Sequence, residues 1–322
     1  MLATQKYQEF FLEYLKEQKI QREPVNLYNP IDYILGLGGK RMRPVLTLMA
    51  AEVFDVDYKK ALPAAMAIEV FHNFSLVHDD IMDSAPLRRG KETVHKKWNL
   101  NSGILSGDAM LILAYQYFEQ YEPKIFIDLA RLFSKTALEV CEGQQMDIDF
   151  EDRDDVTIPQ YLKMIQYKTA VLVAAAMKMG AIIAETSQSN ADLIYEFGLN
   201  LGLAFQLQDD YLDVFGNPQT FGKQIGGDII ENKKTYLYLR AFESTKDRDQ
   251  LQQLYSVKTS DNSKKINSVT EIFNATGATQ DSKRAIRDYT QKAFDTLELL
   301  QVSDTKKNAL KNFGQNLMER NI

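Results

Sequence analysis

The segment SLVHDDIMDSAPLRRG, Ser75 to Gly90, puts three carboxylates, Asp79, Asp80 and Asp83, within five residues and follows them with Arg88 and Arg89. A second cluster, Asp209, Asp210 and Asp213 in QDDYLD, repeats that spacing 130 residues later. On a helix, residues i and i+4 stand one above the other, so Asp79 and Asp83 share a face with Asp80 offset beside them. Like charges so placed weaken a helix, and a single acidic run is usually a solvated face. The flanks argue for something else. Phe71, Phe74, Leu76, Val77, Ile81 and Met82 surround the first cluster, and a strongly apolar stretch precedes the second. If the two clusters face one cavity, about six carboxylates meet there, an arrangement too costly without counter-charge. Hard divalent cations supply it. Mg²⁺ prefers oxygen ligands and binds through one or two carboxylates plus substrate phosphates, whereas zinc would call for clustered His or Cys.

Cations accompany the acids. Lys40, Arg41 and Arg43 lie in GGKRMRP, Arg88 and Arg89 follow the first cluster, Lys168 lies in QYKTA and Lys223 in FGKQ. Guanidinium groups bind phosphate bidentately, and lysine acts as a point charge. The chemistry these residues can assemble is a metal–diphosphate clamp: carboxylates hold metal, and metal and cations hold phosphate. The apolar neighbours suit a greasy remainder of the substrate.

The elements that must position these groups read as helices. Leu87 to Glu122 and Gln160 to Asn217 contain no proline, and apolar residues such as Ile194, Phe197, Leu201, Ala204 and Phe205 recur at the helical spacing. No alternating strand run and no Asn-Gly or Asp-Gly hairpin signal is present. The expected class is all-α, with roughly ten or more helices of about 11 residues or longer. The expected breaks are Gly36 to Arg43, with Pro44 in the first turn of the next helix, then Ser84 to Thr93, Phe150 to Pro159, Phe215 to Gly227 and Val257 to Lys265. None resembles an interdomain linker, and no repeat of solenoid period occurs. A single domain over residues 1–322 is expected.

Composition narrows the classes further. The 322 residues are 45% hydrophobic and 25% charged, the balance of a soluble globular protein. Cys141 is the sole cysteine, which rules out an internal disulfide and fits a cytoplasmic setting. The N-terminal MLATQKYQEFFLEYLKEQ reads as an amphipathic helix, not a signal peptide. Val171 to Ala184 carries Lys178 and is too short for a membrane span, so no integral membrane segment is expected. A formal net charge of −6 argues against nucleic acid as a partner.

In order along the chain, GGKRMRP, HDDIMDSAPLRRG, EGQQMD, YKTA, FQLQDDYLD and FGKQIGGDIIENKKT resemble the motifs of the trans-isoprenyl diphosphate (polyprenyl) synthase family, from about Gly36 to Thr235. The resemblance implies the isoprenoid synthase type I fold, with helices around a deep central cavity, and a homodimer. It implies head-to-tail condensation of isopentenyl diphosphate with allylic prenyl diphosphates, using about three Mg²⁺ ions per active site. By position, Asp79 and Asp83 bind metal with Asp80 in support, and Asp209 binds metal with Asp210 and Asp213 near it. Arg88, Lys168 and Lys223 contact the allylic diphosphate. Lys40, Arg43, His72 and Arg89 contact isopentenyl diphosphate. Thr169 and Gln206 line the site of the allylic cation, and with Lys168 and Arg88 form the catalytic set. Gln144 and Asp147 belong to the wall, and Lys233 helps to close the site. His78 and His95 stay outside it.

Within that family, bulk one and two helical turns upstream of the first aspartate motif ends elongation, and one turn rises about 5.4 Å. Ser75, Phe74 and Phe71 occupy those turns. One aromatic beside a small residue, with no insertion inside the motif, resembles geranylgeranyl (C20) synthases; farnesyl (C15) and longer products are the alternatives. Three other readings compete. A class I terpene cyclase would carry an Asn/Ser/Glu metal motif in place of QDDYLD, and a silent regulatory subunit would have lost an aspartate or a cation. A Ca²⁺-binding acidic scaffold would not need the arginines and lysines beside its acids.

Overall fold

The computed structural model describes residues 2–18, 22–217, 225–245, 248–256 and 261–319. Among the described residues the chain is helical almost throughout, as the periodicity predicts. It divides into two compact units, Met1–Ser134 with Ala175–Asp192, and Lys135–Ala174 with Leu193–Ile322.

The first unit is built on α4, Leu62–Met82, which carries the first aspartate cluster at its C-terminal end. Pro63 fits its first turn, where a missing N–H costs nothing. Its sequence is apolar on nearly every face, and Ala64 through Val70 are all buried, the mark of a helix enclosed by others. α3, Met42–Val53, and α6, Leu100–Phe118, pack along it. α2, Val25–Gly36, and α1, Leu2–Glu17, pack outside these. Asn99 caps α6, its side chain accepting from Ser102 N at 2.8 Å. Pro44 lies in the first turn of α3, as expected from its position after GGKRMR.

The expected loop Ser84 to Thr93 departs from the sequence reading. It contains a hairpin, β1 Leu87–Arg88 against β2 Lys91–Glu92, in antiparallel register. Arg89 and Gly90 both take positive φ, 53° and 74°, the backbone of a tight hairpin turn. Glycine adopts that region freely; Arg89 is held there by its guanidinium, which donates to the Gly38 carbonyl. The short α5, Val94–Lys97, follows.

In the second unit the elements that matter are α7 from Lys135 on, α8, α10 from Leu193 on and the segment between α8 and α9. α7 runs Pro123–Glu151, α8 Ile158–Ile165, α9 Val171–Ile183 and α10 Gln188–Phe215. The polar connection expected from Phe150 is shorter, because α7 continues to Glu151. A capping box opens α8: Thr157 and Gln160 satisfy each other's backbone N–H groups, with Pro159 in the first turn. Between α8 and α9 the chain widens into one π turn, Gln166–Ala170. Such a turn holds one residue more than an α turn and re-aims the side chains it carries. α11 (Gly227–Ile230), α12 (Tyr236–Ser244), α13 (Arg248–Ser256), α14 (Asn262–Ala275), α15 (Ala278–Glu298) and α16 (Asp304–Met318) complete this unit. They pack on α8 and α10 around Leu207, Leu237, Leu251, Val269 and Phe273.

Candidate active site

In the first unit the helical spacing sorts the three aspartates by burial. Asp80 is 1% exposed, Asp79 half-buried and Asp83 exposed as the C-cap of α4. Arg88, carried back by the hairpin, donates from Nε to both Asp80 oxygens at 2.9 Å, and its Nη2 lies 3.5 Å from Asp79 Oδ2. Burial pushes the Asp80 carboxyl up, and Arg88 pulls it partly back. Asp80 therefore aims Arg88, while Asp79 and Asp83 lie nearer the surface.

One to two turns earlier on α4, His72 meets Arg43 of α3 at 3.1 Å, Nε2 to Nη1. Arg89 and Arg88 bear on the same ring, and burial with this positive field holds His72 well below the usual histidine value. The imidazole is neutral at pH 7. Burial lowers Arg43 to about 10, still fully charged there. The structure thus gathers Arg43, His72 and Arg89, with Lys40 exposed on the adjoining turn. The middle cation of GGKRMRP turns inward instead: Arg41 is buried, pairs with buried Glu69 and caps the Leu35 carbonyl, while Glu69 also accepts from Asn73. Ser75 Oγ donates to the His72 carbonyl at 2.8 Å. Phe74 is 8% exposed; Phe71 is fully buried against Phe74 and Phe133, with ring centroids at 5.4 and 5.1 Å.

The second unit holds a cavity of about 130 Å³ lined by Asp147, Tyr161, Lys168, Thr169, Gln206, Asp210, Asp228 and Lys233, among others. The π turn presents two of these. Lys168 Nζ pairs with Asp147 at 2.5 Å, and Thr169 Oγ1 donates to Gln206 Oε1 at 3.1 Å. Gln206 Nε2 in turn donates to Asp210 Oδ1 at 2.9 Å, one turn along α10, and the Tyr161 hydroxyl donates to Asp210 Oδ2. Asp213 Oδ2 accepts from Asp228 N at 3.0 Å, so the second cluster anchors the start of α11. Burial and then neighbouring carboxylates push Asp210 and Asp228 up. Burial alone would lower Lys233; Glu231 at 3.1 Å and Asp228 outweigh it and hold it up. Gln144 is half-buried on α7. Lys223 lies outside the described residues.

Three participants escaped the sequence reading. Asp228 sits in GGD, 15 residues after Asp213, and a third carboxylate beside a predicted diphosphate site was the available signal. Tyr161 precedes its partner by 49 residues and carries no sequence signal. Lys234 also lines the cavity and donates to the carbonyls of Phe150 (3.5 Å), Glu151 (3.2 Å) and Arg153 at the end of α7, beside Asp154 at 3.1 Å.

Among the described residues no three acidic, histidine or cysteine side chains converge as a ready metal cage. Mg²⁺ takes few protein ligands and completes its shell with phosphate and water. The donors are hard carboxylate oxygens throughout, with Asp79, Asp83 and Asp209 less buried than Asp80, Asp210 and Asp213.

The polyprenyl synthetase profile matches residues 24–273, which contain both aspartate clusters and every motif above. The chain belongs to the polyprenyl synthetase family. It is similar over 99% of its length to 98% of a short chain isoprenyl diphosphate synthase of Methanothermobacter thermautotrophicus, at 35% identity. A crystal structure of a geranylgeranyl pyrophosphate synthase matches at TM-score 0.96 and 52% identity, covering 98% of each chain. The geranylgeranyl pyrophosphate synthetase of Pyrococcus horikoshii matches at TM-score 0.91 and 32% identity, over 98% of this chain and 97% of that one. As a polyprenyl synthetase with the all-α isoprenoid synthase fold, the protein is a trans-prenyltransferase. The family uses Mg²⁺ in catalysis. No helix among the described residues is long and apolar enough to cross a membrane.

Proposed function

We propose that this polyprenyl synthetase joins isopentenyl diphosphate head-to-tail to allylic prenyl diphosphates and releases mainly C20 geranylgeranyl diphosphate. The observation that carries the reading is the π turn in its cavity, with Lys168 on Asp147 and Thr169 on Gln206, and Gln206 on Asp210 of the second cluster. Bound Mg²⁺, about three ions by the family resemblance, would draw electrons from the diphosphate oxygens. Asp79, Asp83 and Asp209 offer it their carboxylates.

The chain's own residues do the rest. Arg88, oriented by Asp80, and Lys168, oriented by Asp147, offer charge to the allylic diphosphate, and the family resemblance adds Lys223 and Lys233 to that role. Lys40, Arg43, His72 and Arg89 hold isopentenyl diphosphate, and a neutral His72 lets Arg43 supply the charge. The allylic C1–O bond breaks and pyrophosphate leaves with the electron pair. The oxygens of Thr169 and Gln206, which line the cavity, are offered to the resulting allylic cation. The terminal double bond of isopentenyl diphosphate supplies the electrons of the new C–C bond. A proton then passes from the adjacent carbon to pyrophosphate, and the double bond re-forms one position along.

The C20 product is supported by Phe74, one bulky side chain at the edge of an aromatic layer, beside the small Ser75. The geranylgeranyl synthases named above support it independently. The enzyme acts in the cytoplasm on small diphosphates and as a homodimer. Exposed Leu100, Ile104, Leu105 and Ile112 along α6 form an apolar run suited to a second copy, and light scattering showing a monomer at micromolar concentration would remove that element.

The test is incubation of the purified protein with labelled isopentenyl diphosphate and C5, C10 or C15 allylic primers, with Mg²⁺ or chelator. Metal-dependent linear products ending at C20 are expected. Accumulation at C15 or beyond C20 would replace the product assignment. Cyclised product without condensation would favour a terpene cyclase, and no reaction with any primer would leave a silent subunit.

A further inference from the structure

Lys168 and Thr169 reach the cavity from a π turn, and each is bonded to a different helix. The two helices meet that turn in the same way. On α7, Gly143 lies four residues before Asp147, the partner of Lys168; on α10, Gly202 lies four residues before Gln206, the partner of Thr169. One helical turn separates each glycine from its polar residue, so both stand on one face.

Neither glycine is there for backbone freedom, because both lie in regular helix, where glycine costs about 1 kcal/mol relative to alanine. What matters is the missing methyl group. A Cβ at Gly143 would stand 2.7 Å from the Tyr167 carbonyl carbon and 2.8 Å from Lys168 Cα, and closer still to Lys168 N. A Cβ at Gly202 would stand 2.8 Å from Ala170 Cα and 3.0 Å from Ala170 Cβ. The obstructed atoms are mostly the backbone of the π turn, which cannot swing aside as a flexible side chain would. A turn with an extra residue is intrinsically less favourable than the α-helix it interrupts and persists where its surroundings hold it.

We propose that Gly143 and Gly202 are positioning residues that clamp the π turn from opposite partners. Each admits the turn's backbone against its helix and thereby brings the polar group one turn on into bonding range, Asp147 for Lys168 and Gln206 for Thr169. The pair fixes where the ammonium and the hydroxyl stand relative to the allylic diphosphate. This rests on the diphosphate-binding role proposed above for Lys168.

The test compares the full-length protein with Gly143→Ala and Gly202→Ala by two readouts. In hydrogen–deuterium exchange, both variants should speed exchange of the amides of Gln166–Val171, Gly143→Ala the more, with α4 peptides unchanged. In steady-state assays, displacement of the ammonium should lower kcat by about tenfold or more and raise the allylic KM. The KM for isopentenyl diphosphate should stay within about twofold, since its proposed cations lie in the other unit. Unchanged exchange at 166–171, or a parallel rise in both KM values, would overturn the proposal. Unfolding of both variants would do so as well, by showing general packing instead of positioning. A wild-type protein without condensation activity would defeat the function assigned above, while the exchange comparison would still decide whether the glycines hold the turn.

Discussion

Replacing Phe74 by alanine should lengthen the product by one isoprene unit. Phe74 stands five residues before Asp79 and keeps 8% exposure, whereas Phe71 behind it has none. The two ring centroids lie 5.4 Å apart, the rise of about one helical turn and close to one five-carbon unit. Truncation at Phe74 removes one layer and moves the floor back to Phe71, which converts a C20 stop into a C25 stop. The next layer should hold. Phe71 is backed by Phe133 at 5.1 Å, and Phe133 by Phe118 at 5.3 Å and Tyr115 at 4.7 Å. Longer chains should stay minor until Phe71 is cut as well. The cost in stability should be about 3 kcal/mol, the lower end for Phe→Ala, because Phe74 is not wholly enclosed. The assay is elongation of a C15 primer with labelled isopentenyl diphosphate, dephosphorylation, and chromatography of the alcohols, with circular dichroism to establish folding. An unchanged C20 product from a folded variant would refute the floor. A broad ladder of long chains would refute the idea of discrete aromatic layers.

Asp79→Ala and Asp209→Ala should each abolish most Mg²⁺-dependent turnover with an unchanged far-ultraviolet spectrum, and near-normal rates in either would break the metal assignment. His72 is held neutral well below its ordinary value, so below about pH 6.5 the unfolded chain binds a proton that the folded one does not. Stability should therefore fall as pH drops through that window by about 1.4 kcal/mol per unit from this group, and His72→Gln should flatten the slope in urea titrations. Glu69→Ala strands the buried Arg41 charge and should cost about 3–5 kcal/mol, whereas replacing both partners by methionine should cost less; equal losses would show that packing, not charge, dominates there.

The helices and both aspartate clusters were legible because their signals are local: apolar period, and like charges at i and i+4. The three cations of GGKRMRP were not separable by sequence. Their fates depend on partners 28 and 29 residues away, Glu69 taking Arg41 inward and His72 receiving Arg43, with Lys40 left at the surface. The hairpin at Leu87–Glu92 was missed because its turn is Arg-Gly, and a left-handed arginine depends on the distant Gly38 carbonyl. The π turn left no mark in QYKTA itself. Its cause lies in residues absent from that segment, the missing methyl groups at Gly143 and Gly202. Asp228 was overlooked because its motif lacks the DDxxD spacing that marks the two clusters.

The end of α7 shows how position 234 tells one base from another. Around the Lys234 ammonium stand the oxygens of Phe150, Glu151 and Arg153, with the Asp154 carboxylate at 3.1 Å, an arrangement like the hydration shell of a small round ion. An ammonium with three rotatable donors fills such a sphere; a guanidinium is flat, broader and prefers paired acceptors. Adjacent Lys233 meets carboxylates, where an arginine could substitute in kind. Of two identical letters side by side, one is read by the protein for its charge and the other for its shape.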